Sequence, residues 1–146
     1  MRHRLTPASA AFTLPELVLV LAIVGLISVV GIKQLQLYLD RLATRAAVVQ
    51  AALMVGRARD ESVAQHTAVT LHVDSATATL ALRARGELLA SRALGHDRGV
   101  TLSANRDSIT FDARGLGYGA ANMTLIVRRR EAANTLVVSR LGRVRY

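Results

Sequence analysis

The 146-residue sequence has no cysteine and no tryptophan, and only two phenylalanines and three tyrosines. Without cysteine there is no disulfide staple and no thiolate metal site. The shortage of aromatics leaves few platforms on which nucleic-acid bases could stack. Lysine occurs once, at Lys33, against eighteen arginines, so the net charge of +9 is an arginine charge. No GxxxxGK[ST] segment is present, which excludes a phosphate-cradling ATPase loop of that kind. No catalytic constellation is visible either. His66 and His72 are not one helical turn apart and have no paired acids nearby, so neither is assigned to a metal. Gly115 to Gly119 (GLGYG) lacks the third-glycine spacing of a dinucleotide loop and reads as a strand-to-strand turn.

What is present is one long apolar run, FTLPELVLVLAIVGLISVVGI, over residues 12–32. From Leu17 to Ile32 it carries no charge, with Glu16 at one border and Lys33 at the other. The 21 residues from Phe12 to Ile32 are just enough to span a bilayer as a helix. A carboxylate in such a helix costs about 2.5–3.5 kcal/mol on insertion scales and calls for a positive partner. The nearest bases in sequence are Arg4 and Lys33, both more than two helical turns away. The partner of Glu16 is therefore a new amino terminus made by cleavage, or a group on another molecule. An ordinary secretory signal would want a small-residue cleavage site after the run, and Ser28-Val29-Val30-Gly31 is a poor one. A plain anchor would need no Glu16.

Ala11-Phe12-Thr13-Leu14-Pro15-Glu16-Leu17, after the short basic leader MRHRLTPASAA, resembles the class III signal of type IV pilins and pseudopilins. Ala11 stands where that family usually has glycine. The resemblance implies cleavage between Ala11 and Phe12 by a prepilin peptidase and N-methylation of Phe12. It also implies that Glu16 faces the terminal amine of a neighbouring subunit during assembly. Such a pair is strong in a low dielectric but expensive to desolvate, so its role is to fix register. Pro15 is tolerated because the first turn of a helix needs no donor there.

Helical periodicity continues past Lys33. Leu35, Leu39, Leu42, Ala46, Val49, Leu53 and Gly56 recur at spacings of three and four, with Gln36, Asp40, Arg41, Arg45 and Arg57 between them. The pattern predicts one helix from Phe12 to about Gln65, with the Leu35–Gly56 stripe turned inward. After His66 the period becomes two. Strands are predicted over residues 69–73, 78–82, 86–92, 108–111, 123–129 and 135–140, with turns at Asp74-Ser75 and Arg85-Gly86 and a loop from Gly95 to Gly99. The outline is an α+β fold, a long helix whose outer half packs on an antiparallel sheet.

Arg57 to Leu71, FDARG (Phe111 to Gly115) and the ending VVSRLGRVRY are similar to the GspH/FimT group of minor pilins. With the leader, the similarity covers most of the chain; residues 76–107 carry little specific to the group. It implies a type IV pilin-like fold divided into a leader over 1–11, a transmembrane and protruding helical half over 12–40, and a periplasmic globular domain over 41–146. The partners implied are the prepilin peptidase, major and other minor pilins or pseudopilins, and the inner membrane, with no cofactor and no metal.

The remaining feature is the basic tail. Arg128 to Tyr146 holds six arginines and one glutamate, a local +5. In Gly142-Arg143-Val144-Arg145 two guanidiniums sit two residues apart, on one face if the segment is extended. Arg128, Arg129 and Arg130 add to that face if their strand lies alongside. Arginine forks suit phosphate and follow a nucleic-acid backbone without reading sequence. Three readings stand. The first is a structural minor pseudopilin, not an enzyme, in a type II secretion pseudopilus or related filament. The second, implied by the resemblance of the GRVR ending to the GRxR ending of the FimT branch, is a type IV pilus subunit that holds DNA through it during natural transformation. The third is a singly anchored periplasmic enzyme, for which no site is visible.

Overall fold

The computed structural model describes residues 13–118 and 122–146. Helix α1 runs from Leu14 to Ala64. Its start is set by Thr13, whose carbonyl accepts from the N–H groups of Glu16 and Leu17 at 3.1 and 3.2 Å. Its end is a Schellman motif. The Thr67 N–H reaches back to the Ser62 carbonyl and the His66 N–H to Val63, with His66 left-handed at φ 50 where glycine is usual. The described residues up to Gln36 form one compact unit, and Leu37–Tyr146 form a second. Asp40 therefore belongs to the folded unit.

In that unit nine strands among the described residues follow α1 in two antiparallel sheets, where a single sheet was expected, with one short helix between β3 and β4. The first sheet has the order β3-β2-β1-β5-β6, from β1 (Val69–Asp74), β2 (Thr79–Ala84), β3 (Glu87–Ala93), β5 (Ser108–Phe111) and β6 (Gly117–Tyr118). The second has the order β4-β7-β8-β9, from β4 (Thr101–Ala104), β7 (Met123–Arg129), β8 (Ala132–Val138) and β9 (Val144–Arg145). Alternation brings Val69, Leu71 and Val73 of β1, Leu80 and Leu82 of β2, Ile109 and Phe111 of β5, and Leu125, Val127 and Leu136 of β7 and β8 into one core. The Asp74-Ser75 turn is held by the Asp74 carboxylate, which accepts from the N–H of Ala76 at 2.9 Å and the hydroxyl of Thr77 at 2.6 Å. Those bonds hold the Asp74 carboxyl below its ordinary pKa.

Three expectations are corrected. Gly95 to Gly99 is a short helix, α2 (Leu94–Arg98), rather than a loop, because Leu94 is drawn wholly into the core and the Gly99 N–H closes on the Gly95 carbonyl at 2.9 Å. The strand expected at residues 135–140 is β8, which starts at Ala132 because a tight turn at Arg130-Glu131 pairs Arg129 with Ala132.

The third correction concerns α1. The face it buries is Asp40, Thr44, Ala47, Val48, Ala51, Met54, Val55, Ala58 and Ser62. The expected stripe points outward, with Leu39 at 50% and Leu53 at 67% exposure. Both stripes repeat at helical spacing. The sheets fill the core with Phe111, Leu71, Leu80, Leu82, Leu125 and Leu136, all fully buried, and the helix face set against them is built from Ala47, Ala51 and Ala58 with Val48, Met54 and Val55, and holds no leucine. Ala51→Leu should accordingly destabilise the folded unit by about 1–3 kcal/mol through overpacking. Leu53→Ser should stay within about 0.5 kcal/mol. Denaturant melts of the two variants check this, and the opposite ranking would restore the leucine stripe to the core.

Candidate functional site

The amino-terminal site is built on the first turn of α1. Glu16 is exposed, and its Oε2 accepts from the Thr13 N–H at 3.5 Å, the returning half of a T-x-x-E capping box. An acid there also suits the positive end of the helix dipole. The side chain is thus held at the helix entrance and stays open to a further cation. Ala11 and Phe12, the expected cleavage position, lie outside the described residues. The apolar window that follows has mean hydropathy 2.5 and none of it is buried within the chain. Among the described residues α1 is the one helix long and apolar enough to cross a membrane.

The expected basic face divides in two. In β9 Val144 turns partly toward the core and pairs with Val138, so Arg143 and Arg145 on either side of it project outward. The Arg143 N–H is held by the Ser139 hydroxyl at 3.1 Å. Neither arginine is in an ion pair among the described residues. Arg128, Arg129 and Arg130 lie on the far side of β8 and at its other end, where Arg128 pairs with Ala133 while Arg145 pairs with Val137.

Two of those three arginines are already engaged. The Nε of Arg129 lies 3.0 Å from Asp40 Oδ1, off the hydrogen-bond direction, so that contact is electrostatic. Arg130 donates to Asp40 Oδ2 at 3.4 Å, and Arg129 also donates to the Arg98 carbonyl at 2.9 Å. Asp40, expected on the polar side of the helix, is 4% exposed. A buried carboxylate is tolerated here because two guanidiniums compensate it. Nothing in the spacing of Asp40 signalled this; an acid flanked by arginines on a helix reads as solvated.

The ending also meets the FDARG segment. Gly115 and Gly142 both have φ 73, and the side chain of Arg59 from α1 runs between them. A Cβ at Gly115 would come within 3.1 Å of Arg59 Cγ, and one at Gly142 within 3.1 Å of Arg59 Cδ. Both positions need glycine for conformation and for room. Asp112 closes its turn by accepting the Leu116 and Arg114 N–H groups on Oδ1 at 3.0 and 2.9 Å, and the Arg114 guanidinium on Oδ2. The Leu116 N–H is the largest cause of its lowered pKa; partial burial works against the shift, and Arg114 adds to it. GLGYG is not one turn: the turn spans residues 112–116, and Gly117-Tyr118 forms β6 against β5. His66 and His72 are both exposed, and no group of three metal-ligating side chains occurs among the described residues.

A long helix with two antiparallel sheets against its second half is the architecture of type IV pilin-like proteins. The minor pilin FimU of Pseudomonas aeruginosa is similar, with TM-score 0.61 and 20% identity over 74% of this chain and 90% of that one. So is the minor pseudopilin EpsH from the type 2 secretion system of Vibrio cholerae, with TM-score 0.57 and 11% identity over 70% of this chain and 94% of that one. By sequence, residues 47–142 match the family described as type II transport protein GspH, and the chain belongs to that family. No curated protein matches it significantly in sequence.

Arg129→Ala should cost about 3 kcal/mol, the low end for breaking a buried pair, because Arg130 still reaches the buried Asp40 carboxylate left behind. Arg128→Ala on the neighbouring outward position should cost under about 0.5 kcal/mol. Thermal or denaturant unfolding separates the two.

Proposed function

We infer that this chain is a minor pseudopilin, a structural subunit of a type II secretion pseudopilus or a related type IV filament. The observation that carries the reading is the apolar half of α1, wholly exposed within its own chain and headed by Glu16. Such a surface is stable only in lipid or against similar helices. Membership of the GspH family and likeness to FimU and EpsH support the same reading. The prepilin peptidase cuts after Ala11 and Phe12 becomes the methylated terminus. The chain then waits in the inner membrane with its sheets in the periplasm and enters the filament beside other pilins, Glu16 meeting a neighbour's terminal ammonium. Glu16→Ala should leave insertion intact and reduce recovery in sheared filaments about tenfold or more, as for loss of a charge pair in a low dielectric. Mass spectrometry of the recovered wild-type chain should give methyl-Phe12. Equal recovery of the variant, or a chain beginning near residue 30, would overturn the reading.

A second reading, DNA holding by the same type of subunit, is favoured by one observation: Arg143, just before β9, and Arg145, within it, are both exposed and without acidic partners among the described residues. The detergent-solubilised chain should then bind duplex DNA without sequence preference. Arg143→Ala with Arg145→Ala should lower the slope of log K against log salt by about 2. An unchanged slope would remove the tail from any DNA contact.

A further inference from the structure

Where the two sheets meet at β6, the Gly117 N–H donates to the Arg140 carbonyl at 2.9 Å. Beside this bond lies an open groove of about 740 Å³ between the 112–118 turn and the 139–142 turn. Leu116, Tyr118 and Leu141 line it and are exposed, Tyr118 at 81% and Leu141 at 55%. Arg114 and Arg140 line it as well. Its one acid, Asp112, has both oxygens committed to its own turn and to Arg114, which leaves Arg140 with no acidic partner among the described residues.

We propose that this groove is a docking site for an extended acidic and apolar segment of another filament subunit. The proposal rests on the filament reading above and names the surface through which the globular part makes a specific contact. The charge balance calls for an anion. The exposed leucines and tyrosine between the arginines call for apolar side chains in the same ligand. An extended peptide alternates its side chains and supplies both at a spacing of two residues. A phosphodiester backbone would answer the arginines and leave Leu116 and Leu141 covered without apolar partners. The Glu-bearing ligand places a carboxylate on Arg140 as a charge-assisted hydrogen bond and lays leucine against Tyr118 and Leu141.

The test uses the full chain in detergent and a fluorescein-labelled hexapeptide of alternating Glu and Leu. Binding should saturate. It should weaken about tenfold in Arg140→Gln and again, independently, in Leu141→Glu, whose added carboxylate repels the ligand without touching the core. Arg92→Gln with Arg106→Gln, a larger charge loss outside the groove, should leave it unchanged. Binding that ignores both groove variants, or that is matched by the Lys-Leu counterpart peptide, overturns the proposal. So does displacement by a short DNA duplex whose own binding falls in the same variants, which would make this a phosphate site. In cells both groove variants should be depleted from sheared filaments and the control pair should not. Groove variants that enter filaments like wild type sink the docking proposal and leave the filament reading standing. A wild-type chain absent from filaments sinks the filament reading, and with it another subunit as the source of the segment.

Discussion

The division of volume between helix and sheets governs this fold. The sheets contribute most of the large side chains to the core, Phe111, Leu71, Leu80, Leu82, Leu125 and Leu136, and the helix contributes Ala47, Ala51 and Ala58 with Val48, Val55 and Met54. Close packing limits the volume left for the helix side. Once the sheets are filled this way, α1 must turn its leucines outward. Leu39, Leu42 and Leu53 are thus left on the surface by the same constraint that makes the core dense. The apolar face of the helix and the apolar helix ahead of it are then continuous in chemistry, and a filament of packed helices is the kind of environment that satisfies both.

Two contacts fix the register of α1 within the folded unit. Near residue 40 the buried Asp40 carboxylate is held by Arg129 and Arg130 from the β7–β8 hairpin. About five turns on, the Arg59 stem runs between the Gly115 and Gly142 turns, one from each side of the sheet junction. Thr44, hydrogen-bonded to Asn134 at 3.2 Å, adds a third point between them. Burying an ion pair yields little net stability but penalises every alternative register heavily, because a slipped helix would strand a charge. The structure uses polar contacts for placement and apolar volume for stability.

How much of this the sequence reveals depends on whether a signal is local. The leader, the apolar run and Glu16 are contiguous and are read directly. So are β1, β5 and β7, where strict alternation places Leu71, Phe111 and Leu125 without reference to any other element. The inward face of α1 is not local. Two stripes of equal period run along it, and which one is buried depends on side-chain volumes supplied by sheets up to 90 residues away. The same holds for Asp40, whose partners come from the β7–β8 hairpin. The strands β6 and β9, of two residues each, are too short to show a period and exist because neighbouring turns deliver them to a sheet edge. Leu94 is a single core residue in a polar segment, and burying it is enough to wind Leu94–Arg98 into a turn of helix.

The motifs that carry the family resemblance also acquire a physical meaning. In FDARG, Phe111 is a core anchor, Asp112 and Arg114 close a turn, and Gly115 makes room for Arg59. In the GRVR ending, Gly142 serves the same side chain and Val144 packs against the core. These residues are therefore required by the fold whatever the filament does. Selection for a particular partner can act only on what the motifs leave facing outward: Arg143 just before β9 and Arg145 within it, and Arg140, Leu141 and Tyr118 around the groove. Members of one family can share the inward half of each motif and differ in task through the outward half, because the two halves alternate along the same short strands.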